Sequence, residues 1–153
     1  MRERPRILVV DDEESIRKVL AAILEEEGYE VDTAENGREA IRKSNEDFYN
    51  MALLDIRLPD MEGTQLLAAM KETTPKMIKI IVTGYPSLRN AMEALNNGAD
   101  AYVLKPFDVR KVLDTIKECL IKQQEEKRYS EARVTEFIET RAKELQIKTR
   151  ALI

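Results

Sequence analysis

Five short apolar runs, at residues 7–10, 31–34, 51–54, 78–82 and 101–104, recur along the chain, separated by segments whose apolar residues fall three and four apart. Runs of four or five residues are strand-length, and the intervening spacing is that of a helix with one buried face. Strands and helices in alternation build βα units, with parallel strands in one sheet and helices on both of its faces. The pattern predicts an α/β fold of five strands and five helices. At 153 residues, 43% of them apolar, the chain accommodates one ordinary domain and an appendage.

Ile16, Val19, Leu20, Ile23 and Leu24 line one face of the first helix, which is expected to end near Gly28, a natural C-cap. A fourth helix should start at Ser87 after Pro86, carry Leu88, Ala91, Met92 and Leu95, and end at Asn96-Asn97-Gly98. The fifth begins after Asp108 and directs Val109, Val112, Leu113, Ile116 and Leu120 inward.

Beyond Leu120 the pattern changes, because residues 122–128 are polar on every side. A second amphipathic stretch then aligns Val134, Ile138, Ala142, Leu145 and Leu152, with Glu139/Lys143 and Glu144/Lys148 as i,i+4 pairs. No Gly or Pro interrupts residues 109–153, so a continuous helix would run about 45 residues, or roughly 68 Å. Such a helix is marginal alone in water. Its stripe calls for a partner chain, a dimer mate or the domain surface, and a frayed, solvated linker is the competing expectation. The division expected is a compact domain over 1–122 and a helical extension or linker over 123–153, coiled-coil-like in character.

The formal charge of -4 is unevenly spread: residues 122–153 hold eight basic and six acidic residues, which leaves residues 1–121 at -6. An acidic domain without a basic stripe does not attract a phosphate backbone, so direct nucleic-acid binding is not expected. The single cysteine, Cys119, cannot close an internal disulfide, and no metal-type Cys or His cluster is present. With no run near the roughly 18 residues of a membrane span and too few apolar residues after the first six for a signal peptide, the expected location is the cytoplasm.

The polar residues at the ends of the apolar runs point to chemistry. Asp11 and Asp12 follow the first run, Asp55 the third, Thr83 the fourth and Lys105 the fifth. Singly each has an ordinary explanation: an N-cap for Asp11 or Asp12, a β-branched strand end for Thr83, a solvated loop lysine before Pro106. Jointly they coincide with the carboxyl ends of the strands, where open α/β sheets bind ligands. Three gathered carboxylates repel unless a cation intervenes, and oxygen ligands without His or Cys select Mg²⁺. A divalent cation, a lysine and a hydroxyl around one carboxylate are the parts of a phosphoryl-transfer site, with Asp55 as the nucleophile.

The ordered segments Ile7-Leu8-Val9-Val10-Asp11-Asp12, Leu53-Leu54-Asp55-Ile56-Arg57-Leu58-Pro59-Asp60-Met61-Glu62-Gly63, Val82-Thr83-Gly84-Tyr85 and Gly98-Ala99-Asp100-Ala101-Tyr102-Val103-Leu104-Lys105-Pro106-Phe107 resemble the receiver domain of two-component response regulators, over residues 5 to about 122. The resemblance implies a flavodoxin-like, doubly wound parallel sheet of strand order 2-1-3-4-5 with a C-terminal helical extension. It implies that Asp55 accepts a phosphoryl group from a phosphohistidine on a sensor kinase or phosphotransfer protein. Asp12 and Asp55 would ligate Mg²⁺ with the backbone carbonyl of Arg57, and Asp11 would act largely through water. Lys105, before what resembles a cis Pro106, would pair with the phosphate, and Thr83 would hydrogen-bond it. Tyr102 would turn inward with Thr83 and remodel the face of helix 4, strand 5 and helix 5, a candidate homodimer surface alongside the C-terminal helix. Arg57 and Tyr85 are expected to overhang the phosphate and tune its lifetime. The implied protein is a signalling switch that catalyses its own aspartyl phosphorylation and dephosphorylation. With no histidine in the chain, the donor must be another protein or a small phosphate.

Three other readings compete. Phosphatases of the haloacid dehalogenase type place Asp-x-Asp after the first strand, whereas Asp11 and Asp12 are adjacent and Arg57 stands two residues after Asp55; no Gly-rich phosphate loop supports a nucleotide-hydrolysing switch either. From a different class comes a phosphorylation-independent interaction scaffold acting through the C-terminal helix, against which the complete set of acidic, threonine and lysine positions argues.

Overall fold

A computed structural model describes residues 4–70, 72–73, 75–84 and 87–152, with the side chains of 148–152 outside that description. Strands and helices alternate as β1 (Arg6–Val10), α1 (Glu14–Glu26), β2 (Glu30–Ala34), α2 (Gly37–Glu46), β3 (Met51–Leu54), α3 (Gly63–Ala69), β4 (Ile78–Thr83), α4 (Leu88–Asn96), β5 (Ala101–Leu104) and α5 (Val109–Leu152). The strands form one parallel sheet in the order β2-β1-β3-β4-β5. This is the flavodoxin-like architecture expected from the alternating pattern and the family resemblance.

Period-two side-chain alternation in the strands divides the core into two layers. Ile7, Val9, Met51, Leu53, Ile80 and Val82 pack under α1 and α5 against Leu20, Leu24, Val112 and Ile116. On the other face Leu8, Val10, Ala52, Leu54 and Ile81 meet α2, α3 and α4 through Ala40, Leu66, Leu67 and Ala94. The central strands β1, β3 and β4 are therefore buried on both sides, which is why they read as apolar runs. Lys79 in β4 is the exception within those runs. Its buried ammonium donates to the Leu67 carbonyl at 3.0 Å, in the last turn of α3, where carbonyls lack helical partners.

The helix ends follow local chemistry. Gly28, at φ +95°, closes α1 in the left-handed conformation expected of it. The Ser87 hydroxyl accepts from the Asn90 backbone N–H at 3.0 Å and caps α4, as expected, while Asn36 caps α2 through the Glu39 N–H at 2.8 Å.

Three expectations about helix faces require correction. Leu88, Met92 and Leu95 of α4 are 79%, 55% and 60% exposed, and the small Ala94 makes the buried contact instead. Val19 and Val109 also face solvent rather than the core. A helix over a sheet needs only a narrow stripe of contact, so apolar residues at its margins remain exposed.

The tail runs as one helix with the end of the domain, its side chains exposed from residue 124 to residue 147. The stretch at 122–128 is not solvated on every side, because Gln123 is buried. Its amide nitrogen donates to the carbonyls of Lys76 at 2.7 Å and Asn50 at 3.0 Å, and its oxygen accepts from the Asn50 side chain at 3.2 Å. Gln123 thus ties α5 to the loops that enter β3 and β4. Farther along, Glu144 pairs with Arg141 at 2.9 Å, while the Lys148 side chain of its anticipated pair lies outside the described residues. Replacing Gln123 with Leu should cost about 1–3 kcal/mol, because the Lys76 carbonyl and the Asn50 side-chain amide lose their partner in Gln123. Urea unfolding of the full chain would show this as a lower midpoint at an unchanged slope.

Candidate functional site

The carboxyl ends of β1, β3, β4 and β5 converge on one side of the sheet, and each delivers a polar residue there. Asp11 leaves β1 with its N–H bonded to the Ala34 carbonyl of β2 at 3.1 Å, and Asp55 leaves β3 with its N–H bonded to the Val10 carbonyl of β1 at 3.0 Å. Strand pairing thus continues one residue past the strands and fixes both acids before any side-chain contact is made. Lys105 leaves β5 with its N–H on the Thr83 carbonyl at 2.8 Å, and its peptide bond to Pro106 is cis.

Carboxylate oxygens of Asp11, Asp12 and Asp55 all lie within 4.8 Å of one another, with Asp11 and Asp55 buried and Asp12 exposed. The Lys105 ammonium reaches back between the two buried acids, at 2.6 Å from Asp11 Oδ2 and 3.2 Å from Asp55 Oδ2. One ammonium faces three carboxylates, so the cluster retains excess negative charge.

Protonation follows from this arrangement. Burial pushes the Asp55 carboxyl above the ordinary aspartate range; the Lys105 ammonium pulls it back, and the neighbouring Asp11 charge raises it again. For Lys105, burial alone would lower the pKa, but hydrogen bonding to Asp11 and the charges of Asp55 and Asp11 together hold it above the usual lysine value. The lysine is therefore charged across the neutral range. All three acids are oxygen donors on a shared edge, which suits a hard divalent cation, and the excess negative charge gives such a cation something to neutralise.

Several residues that support the site lie away from the polar strand ends. Arg17 on α1 donates to the Asp11 carbonyl at 2.7 Å, and the Glu13 N–H donates to Asp11 Oδ1 at 2.9 Å. Asp60 receives the backbone N–H groups of Gly37 and Arg38 at 2.8 and 2.9 Å, which pins the loop after β3 to the N-terminus of α2. Those donors hold the Asp60 carboxyl below its usual range. Gly63 lies so close behind the loop that a Cβ there would stand 2.5 Å from the Asp55 carbonyl oxygen and 2.7 Å from the Ile56 Cα. Only glycine permits that approach.

The other sequence-nominated residues lie around this centre. Thr83 is fully buried at the end of β4. The Arg57 N–H donates to Asp55 Oδ1 at 3.3 Å, while its side chain is exposed. Tyr102 is partly buried on β5, and its hydroxyl is enclosed beside the Ser87 backbone. Tyr85 lies outside the described residues.

The model of the response regulator receiver domain matches residues 7–117. The chain belongs to the response regulator receiver family. As a receiver it is a module of two-component signalling. It is 40% identical over 134 residues to the transcriptional regulatory protein ZraR of Klebsiella oxytoca, an alignment covering 88% of this chain and 29% of that protein. The chain therefore spans under a third of that relative's length. Among solved structures, a CheY-like receiver domain protein from Methanospirillum hungatei JF-1 is 50% identical with a TM-score of 0.78, covering 81% of this chain and 99% of the other. The beryllofluoride-activated NtrC4 receiver domain dimer is 44% identical at a TM-score of 0.72, covering 77% and 98%. The response regulator TrrA of Thermotoga maritima, in complex with Mg²⁺ and BeF, is 38% identical at 0.68, covering 75% and 98%.

Because the Asp55 carboxyl has a raised pKa, its ionisation destabilises the folded receiver as pH rises through that value, and the penalty is absent at a pH low enough to keep it protonated. Asp55→Asn should therefore melt higher than the unsubstituted chain at pH 7 in EDTA, by a few degrees for about 1 kcal/mol, and the gap should close on acidification. Calorimetric melting of both proteins at several pH values checks it.

Proposed function

We propose that this receiver is a phosphoacceptor switch in which Asp55 takes a phosphoryl group from a phosphohistidine on a sensor histidine kinase or phosphotransfer protein. The observation that carries the reading is the meeting of Asp11, Asp12, Asp55 and Lys105 at the ends of three strands, with Lys105 on two of the acids. Support comes also from the Mg²⁺-BeF complex of the related TrrA receiver. Asp11, Asp12 and Asp55, with the backbone carbonyl of Arg57, would hold Mg²⁺. The cation would neutralise phosphoryl oxygens and part of the carboxylate charge.

The chain's own residues then divide the work. An ionised oxygen of Asp55 attacks phosphorus, a P–O bond forms as the donor's P–N bond breaks, and the departing imidazole nitrogen takes up a proton. Lys105, already poised between Asp11 and Asp55, turns its ammonium to the new phosphoryl oxygens, and the Thr83 hydroxyl donates to them. Phosphorylation adds about -1.5 to -2 charge at this point, and the state with Thr83 and Lys105 drawn in satisfies it best. Charge-assisted hydrogen bonds of about 1.5–3 kcal/mol each supply the roughly 5.5 kcal/mol needed to invert a 1:99 population. Tyr102, its hydroxyl enclosed on β5, would shift together with Thr83.

The output surface we assign is the face of α4, β5 and α5, where Leu88, Met92, Leu95 and Leu104 are exposed. Homodimerisation through this face or through the C-terminal helix is the assembly proposed, in keeping with the dimer formed by the activated NtrC4 receiver. Residues 1–122 are assigned to the receiver and 123–153 to a helical extension. No described helix is long and apolar enough to cross a membrane. We place the protein in the cytoplasm, without a direct role in nucleic-acid binding.

Incubation with Mg²⁺ and acetyl phosphate should add the mass of one phosphoryl group to the intact chain, and Asp55→Asn should abolish the gain. Lys105→Ala should slow it by roughly a hundredfold, the scale of losing one preorganised charge at a reacting oxygen. An unchanged mass in the unsubstituted chain would instead favour the scaffold role for α5. Separately, beryllofluoride should shift the chain from monomer to dimer in light scattering, and Leu88→Glu with Met92→Glu should prevent the shift if the α4 face carries it.

A further inference from the structure

At the edge of the sheet opposite the carboxylates, where the strands begin, lies a second cleft with a volume of about 700 Å³. It opens between the segment leading into β1 and the start of the α5 extension. Its size is that of a small-molecule site. Its lining includes four cationic side chains, Arg4, Arg6, Lys127 and Arg128, and no carboxylate among the described residues. Acids stand nearby, because Arg4 and Arg6 also line an adjoining cleft with Glu25, Glu30 and Asp32.

The four cations are not equivalent. Arg6 is committed to acids outside the cleft, at 3.0 Å from Asp32, 3.4 Å from Glu30 and 3.6 Å from Asp47. Arg4, Lys127 and Arg128 have no side-chain partner among the described residues. These three cations around one concavity repel each other, and an anion between them relieves the repulsion. Two of the three are guanidinium groups, whose planar forks match phosphate oxygens in pairs. Phe48, 39% exposed, adds an apolar ring to the same lining. A ring beside a cluster of cations suits a ligand that has both a flat base and a phosphate group. The buried Gln123 amide, bonded to Asn50 and Lys76, keeps the helical wall against the strand edge.

We propose that this cleft binds a nucleoside diphosphate or a phosphate ester of similar size, with phosphates on Arg4, Lys127 and Arg128 and the base against Phe48. The site is separate from the acidic cluster and needs no divalent cation, so it does not depend on Asp55 accepting a phosphoryl group.

Titration calorimetry on the full chain, in EDTA so that phosphates are not carried to the carboxylates by a metal, tests this with ADP and inorganic pyrophosphate as probes. ADP should bind saturably at one site, and pyrophosphate about tenfold more weakly, because it lacks the stacking partner. Arg4→Ala with Arg128→Ala should weaken both by about tenfold or more, the loss expected for charge-assisted hydrogen bonds. Phe48→Ala should reduce ADP to the level of pyrophosphate and leave pyrophosphate unchanged, and Asp55→Asn should alter neither. The cationic substitutions are at exposed positions, and circular dichroism confirms that each variant is folded. The absence of saturable ADP binding, or ADP binding indifferent to the arginine substitutions, would overturn the proposal. So would displacement of ADP by an equal concentration of a polyglutamate peptide, which would make the cleft a dock for acidic protein segments.

Discussion

The Lys105 ammonium between Asp11 and Asp55 is the contact on which the functional end of this receiver depends. Two buried carboxylates at neighbouring strand ends repel each other, and neither has enough water around it to dissipate the charge. One ammonium, 2.6 and 3.2 Å from them, makes their coexistence tolerable without neutralising the cluster fully. The sheet order makes this contact possible. β1 and β3 are neighbours, β5 lies one strand farther out beyond β4, and a lysine's four-carbon stem is long enough to cross the gap. A shorter cation at the end of β5 would not meet both acids.

The supporting residues act on the backbone of these groups rather than on their charges. Arg17 holds the carbonyl of Asp11, and Gly63 allows the chain after β3 to double back against Asp55 itself. Asp60 fastens the same loop to α2 through two N–H groups. A carboxylate that must keep its place while its charge state and partners change needs this kind of backbone restraint, since its side-chain contacts are the ones that reaction would alter.

The fold and the converging residues were legible in the sequence because each rests on a local pattern. Runs such as Met51–Leu54 declare a strand buried on two faces, and a polar residue at the end of each run declares the ligand-binding edge. Side-chain placement on the helices was less legible. Leu88, Met92 and Leu95 form an apolar stripe that periodicity assigns to the core, yet they are exposed, because periodicity identifies a stripe without identifying what covers it. Gln123 misled in the opposite sense. A glutamine in a run of charged residues reads as solvated, and only the loops before β3 and β4, distant in sequence, supply the carbonyls that make its burial worthwhile. Lys79 is similar: its satisfaction by Leu67 is a tertiary fact that no window around β4 contains.

Gln123 also marks the point where α5 leaves the sheet. Upstream of it α5 lies on the sheet, and downstream the helix projects away with its described side chains exposed as far as residue 147. The projecting arm, at 1.5 Å per residue, is roughly 44 Å long, so pivoting α5 by about 10° at this point would sweep the far end through roughly 8 Å. The same pivot would carry the buried Ile116 by about 2 Å and Val112 by about 3 Å, so a second molecule at the tip could read a repacking of the domain's end of α5.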